Sequence, residues 1–171
     1  MHGRRPILPE KFAAYGVEVD IPEDWRIEFN AKSTREKGDV AFHSPKNNIF
    51  FVSWGRLAEA QRRFKSLEEH RDATIKRIRG DPNMKSVDIV SSERETLSGH
   101  DGILSEVVAK KRSGLISRSE PMHRIWSVHF YCPQRSRYYV VYSQVKVEGE
   151  YPDFAGMFKG VTETLKCHTT A

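Results

Sequence analysis

Seven histidines and two cysteines are the groups in these 171 residues best suited to ligating or nucleophilic chemistry. A metal site needs several such atoms converging within a few ångströms, and sequences usually announce one by HExxH, HxH or a spaced Cys/His pattern. No such pattern occurs. His123 and His129 fall on one face of a single expected strand, but six residues of strand hold them about 20 Å apart. His43 or His100 can meet one of them only through tertiary packing, and His100-Asp101 reads as part of a turn. Cys132 and Cys167 stand in no CxxC spacing, so they are read as buried or half-buried thiols. The expectation is no metal site and no cofactor.

Covalent catalysis has no better footing. No serine lies in a GxSxG elbow, and neither cysteine carries the flanking residues of thiol enzymes. The eleven glycines are scattered singly, with no GxGxxG or GxxxxGK loop to cradle phosphate. No catalytic residue is expected, and the chain reads as a non-enzyme.

Charge is the positive signal. The net charge is +5, and the segment Arg56–Arg79 carries most of it, with eight Lys/Arg against four Asp/Glu. On a helical wheel Arg62, Lys76 and Lys65 can lie away from an apolar stripe of Leu67, Ile75 and Ile78, and Arg63 and Arg77 fall nearby. Lys110, Lys111 and Arg112, in or near a hairpin loop, can extend the row. Such a surface suits phosphates or an acidic protein. It is equally a solvated helix face in which Glu68, Glu69 and Asp72 supply partners one turn away. A second candidate surface is a sheet face bearing Tyr131, Tyr138 and Tyr142, since tyrosines anchor many interfaces. Its alternative is a sheet face covered by helices.

The remaining bounds are broad. A chain of this length makes one domain with a sizeable core. No stretch approaches the ~20 apolar residues of a membrane span. The first residues, MHGRRPILPEKF, lack the apolar centre of a secretory signal. A cytoplasmic protein that does not enter the membrane is expected.

The elements that would position these groups follow from periodicity. Residues 1–14 read as an irregular arm and 15–171 as a single domain. Val17, Val19 and Ile21 alternate with acids and stop at Pro22, giving a strand. Trp25, Ile27 and Phe29 repeat the pattern. Val40 and Phe42 form a third strand closed by Ser44-Pro45, and Asn47-Asn48 is turn chemistry. The apolar run Ile49–Trp54 reads as a central strand. Ser66 with Glu69 has the form of a capping box opening a helix that Gly80-Asp81-Pro82 ends. Residues 56–65 are either a separate short helix or its extension. A meander follows: a strand from Val87 towards Gly99, a turn at His100-Asp101-Gly102, then Ile103–Lys110, Met122–Cys132 and Tyr138–Val147. Phe154, Phe158, Val161 and Leu165 make a helical stripe, with Pro152 in the first turn.

The segment Tyr15-Gly16-Val17-Glu18-Val19-Asp20-Ile21-Pro22-Glu23-Asp24-Trp25 resembles the opening of the PsbP-like superfamily. There an aromatic-Gly strand is followed by proline and, three positions on, tryptophan. The later order of elements also fits, so the resemblance covers about residues 15–167. It implies an α+β fold, an antiparallel sheet covered by helices in an α/β/α sandwich. The superfamily includes PsbP subunits of photosynthetic oxygen evolution and Mog-type factors that bind the Ran GTPase. It therefore implies a non-enzymatic accessory role with a protein partner. The basic segment keeps a nucleic-acid-associated role as the alternative. A third reading, a hydrolase or small-molecule binder, requires a deep pocket holding a strongly perturbed titratable group.

Overall fold

The computed structural model describes residues 9–46, 48–112, 121–147 and 154–168. Asn47, Pro152 and the first eight residues lie outside them.

Alternating side chains build a seven-stranded, wholly antiparallel sheet. Its strands are β3 (Arg26–Phe29), β4 (Gly38–His43), β5 (Ile49–Arg56), β6 (Met84–Leu97), β7 (His100–Lys111), β8 (Met122–Cys132) and β9 (Arg137–Lys146). Their spatial order is β3-β4-β5-β9-β8-β7-β6. The run Ile49–Trp54 is internal, as its continuous apolarity predicts, flanked by β4 and β9.

Residues 9–14, expected to be irregular, are the strand β1 (Pro9–Ala14), paired with β2 (Val17–Pro22). The turn explains it. Tyr15 and Gly16 both take positive φ, 52° and 76°, the two-residue geometry that matches the twist of a hairpin. Phe12 is then turned into the core.

This hairpin and α3 (Phe154–Thr164) cover one sheet face. Between them lies the main core, which includes Phe42, Phe50, Trp54, Trp126, Val128, Phe130, Tyr139 and Val141. All four stripe residues of the last helix, Phe154, Phe158, Val161 and Leu165, are buried there. The other face carries α1 (Leu57–Arg63) and α2 (Leu67–Arg79), over a smaller core of Ile75, Val87, Val107, Ala109 and Ile125. The result is a three-layer α+β sandwich.

The basic segment is thus two helices, not one. Leu57 N–H donates to the Ser136 carbonyl at 2.9 Å, fixing where α1 begins. Ser66 Oγ accepts from Glu69 N–H at 3.2 Å, while Glu69 reaches back to Lys65 N–H at 2.6 Å, one residue before the cap. The expected turn at His100-Asp101-Gly102 lies earlier, at Ser98-Gly99, where φ is 51° and 78°. His100 is consequently the first residue of β7, paired with Leu97.

Candidate functional site: a cleft beneath the second helix layer

Helices α1 and α2 do not fully cover their sheet face. They leave a cleft of about 860 Å³, within the size range of ligand sites. Its lining is chemically divided. Phe51, Phe64, Ile75, Ile78, Met84, Val107, Ile125 and Val140 supply apolar surface. Tyr138, Tyr142, Thr74, Ser53, Ser127 and His70 supply polar atoms, and Arg63 and Arg77 add two cations.

Strand parity places the tyrosines. Tyr139, Val141 and Val145 point into the main core, so Tyr138 and Tyr142 face the helices and are half-buried. Tyr138 needs its neighbour Gly55: a Cβ there would lie 2.5 Å from the Tyr138 ring. His70 stacks on Phe64 with centroids 4.5 Å apart and meets the Tyr138 ring edge-on at 5.1 Å. The Tyr131 hydroxyl lies 3.3 Å from His70 Nδ1. Behind it, His129 is fully buried, with Nε2 3.1 Å from Thr74 Oγ1 and Nδ1 unpartnered among the described residues.

The electrostatics follow from this packing. Burial, then the charges of Arg63 and Arg77, brings His70 down to about 4. Burial, then His70, Arg71 and Arg77, brings His129 down to about 3. Both imidazoles are therefore neutral near pH 7. Burial raises the Tyr138 and Tyr142 hydroxyls, which keeps them as protonated donors. Glu59 and Asp81 also line the cleft and bring negative charge to it. Glu59 lies 3.9 Å from Arg56, and Asp81 Oδ1 accepts from Asn83 N–H at 2.8 Å. Two arginines and two carboxylates therefore line the cleft, and the arginines with the Tyr138 and Tyr142 hydroxyls are the donors available to an anionic group beside an apolar body.

The structure divides the basic residues singled out by sequence. Arg63 and Arg77 line the cleft. Arg62 and Lys76 are exposed and do not line it. Lys110 and Lys111 end β7 beside Ser86 and Met84, and Arg112 N–H donates to the Asn83 carbonyl at 2.8 Å. Several other charges of the segment are paired: Arg56 with Glu36, Arg71 with Asp72, and Glu68 with Arg94 from β6. His70 and Thr74 escaped sequence reasoning because each is a single polar residue inside an amphipathic helix. Only their spacing, one helical turn apart, hinted at a shared face.

On the opposite face, residues distant in sequence converge as well. His100, Cys132, Cys167 and His168 bring their ligating atoms within 4.8 Å of one another. Spacing arguments missed this group because three separate segments supply it.

No protein-family profile and no curated protein matches the chain. Solved structures do. The solution structure of cyanobacterial PsbP (CyanoP) from Synechocystis sp. PCC 6803 superposes with a TM-score of 0.55 at 10% identity, covering 96% of this chain and 95% of that one. The crystal structure of PA94 from Pseudomonas aeruginosa, a protein of unknown function, gives a TM-score of 0.52 at 10% identity, over 95% and 99% of the two chains. The fold is PsbP-like, as the Tyr15–Trp25 segment implied.

Proposed function

We propose that this PsbP-like domain is a non-enzymatic accessory module that acts by binding, and that its cleft receives an apolar or aromatic body carrying an anionic group. The observation behind the proposal is the cleft itself: about 860 Å³, largely apolar, with Arg63 and Arg77 as its cations alongside Glu59 and Asp81. Aromatic and aliphatic surface supplies non-directional affinity. Charge-assisted bonds from the arginines and hydrogen bonds from Tyr138 and Tyr142 fix orientation. The Thr74 hydroxyl beside His129 donates to the His70 carbonyl at 3.2 Å, and the Ser53 hydroxyl to the Val140 carbonyl at 3.3 Å, so both are committed to the backbone, which favours binding over turnover. The ligand can arrive as a small amphipathic acid or as the acidic, apolar end of a protein partner, and the same chemistry recognises both.

The test is a fluorescence titration with anilinonaphthalene sulfonate, followed by displacement with decanoate and with decanol. Saturable one-to-one binding with preferential displacement by decanoate is expected. The double substitution R63A/R77A should weaken decanoate about tenfold, ~1.4 kcal/mol, and decanol little. Ala73→Trp, which fills the cleft, should abolish both. Binding that is unaffected by Ala73→Trp, or none at all, would overturn the proposal. Affinity capture with the wild type and Ala73→Trp separates the two ligand sources: a protein partner is recovered only with the open cleft.

A further inference from the structure

We infer that His100, Cys132, Cys167 and His168 form a binding site for a divalent transition metal, zinc by the chemistry of its donors. The site lies on the sheet face opposite the cleft and is independent of it.

Local structure brings the four together. The antiparallel register that sets Gly102 opposite Phe130 carries His100 at the start of β7 towards Cys132 at the end of β8. The ring of His100 lies parallel to that of Phe130, with centroids 6.2 Å apart. Beyond α3 the chain is fastened to β2 by reciprocal backbone bonds between Glu18 and Lys166, 3.0 and 2.8 Å long. That fixes the residues that follow, Cys167 and His168. Cys167 N–H also donates to Ser98 Oγ at 3.1 Å, in the very turn that precedes His100.

All four donor atoms lie within 4.8 Å of one another, and the three distances from His168 suit a single small ion. From His168 Nδ1 it is 3.4 Å to His100 Nε2, 3.5 Å to Cys132 Sγ and 3.1 Å to Cys167 Sγ. A tetrahedron with Zn–N of about 2.0–2.1 Å and Zn–S of about 2.3 Å has edges of about 3.3 Å between nitrogens and about 3.5 Å between nitrogen and sulfur. The charge suits it too. On binding, each thiol loses its proton to solvent and each sulfur donates to the metal. Two thiolates and two neutral imidazoles around a divalent ion carry no net charge, which a buried site tolerates. Cys132 and Cys167 are both fully buried, and the Ser98 hydroxyl stands 3.4 Å from Cys167 Sγ, placed to donate to a thiolate. Four protein ligands leave no open position, so the site is structural: it ties the end of the chain to β7 and β8.

The experiment measures metal content and cobalt binding in the full chain, purified without chelator under a phosphine reductant. One equivalent of zinc per chain is expected. After metal removal, Co²⁺ should give the visible bands of a tetrahedral site together with a thiolate charge-transfer band. His168→Ala, half-buried at the end of the described chain, should preserve the fold and weaken zinc at least about tenfold. C132A/C167A should remove the charge-transfer band. Folded protein that retains no zinc and gives no cobalt bands would overturn the inference. So would a Cys132–Cys167 disulfide persisting under reductant, or zinc affinity unchanged in His168→Ala.

Discussion

His70 and His129 are buried in the neutral state, and that choice has a pH consequence. Their ordinary value is about 6.5, while the fold lowers them to about 4 and about 3. Above pH 6.5 folded and unfolded chains bind the same number of protons at these sites, so their contribution to stability is fully present. As the pH falls below 6.5 the unfolded chain takes up protons that the native state refuses, and stability is lost towards pH 4 and below. Each histidine adds up to about 1.4 kcal/mol per pH unit to that slope. Urea denaturation between pH 7 and pH 4.5 should show His129→Gln with a flatter dependence than the wild type, by about one proton. An unchanged slope would mean the imidazole is not held neutral. Little of this was readable beforehand. Histidine is equally at home exposed or buried, and only the packing of α2 on β8 decides which.

At the scale of the element, the cleft depends on how close β5 lies to β9. Gly55 pairs with Tyr138 and leaves room for its ring, so Gly55→Ala must displace the tyrosine. We expect a loss of about 1–3 kcal/mol from this overpacking together with weaker dye binding, measured by denaturation and titration on the same variant. Ser66→Ala removes the hydroxyl that caps α2 and should cost about 1 kcal/mol without altering the cleft's affinity. Val17–Ile21 was legible because one buried face fixes its period, and Trp126–Phe130 because its apolar residues alternate, although the structure buries both of its faces. The Phe154–Leu165 stripe was legible for the same reason. The β1 strand and the Ser98-Gly99 turn were not. The first lacks β-branched residues and is specified by its hairpin. The second places a serine at positive φ next to a glycine, which hides the turn one pair ahead of the polar cluster at His100-Asp101.

Viewed whole, the molecule uses its two sheet faces differently. The face under the β1–β2 hairpin and α3 is densely filled by aromatic residues, and Phe158→Ala there should cost about 3–5 kcal/mol. The face under α1 and α2 is filled only in part, by Ile75, Val87, Val107, Ala109 and Ile125, and the unfilled remainder is the cleft. No helix among the described residues is long and apolar enough to cross a membrane. The order of elements indicated an antiparallel sheet covered by helices, and the resemblance carried by Tyr15–Trp25 implied the three layers. The cleft was not, because a sequence shows which side chains turn towards a face but not whether the helices above it close.

Binding of an apolar body with an anionic group in this cleft can be read residue by residue in a ¹H–¹⁵N NMR titration of the folded chain with decanoate. Saturable shifts are expected at Ala73, Thr74 and Arg77 on α2 and at Tyr138 and Tyr142 on β9, with the α3 face unmoved. Shifts confined to α3 and the β1–β2 hairpin, or no shifts at saturating decanoate, would contradict it.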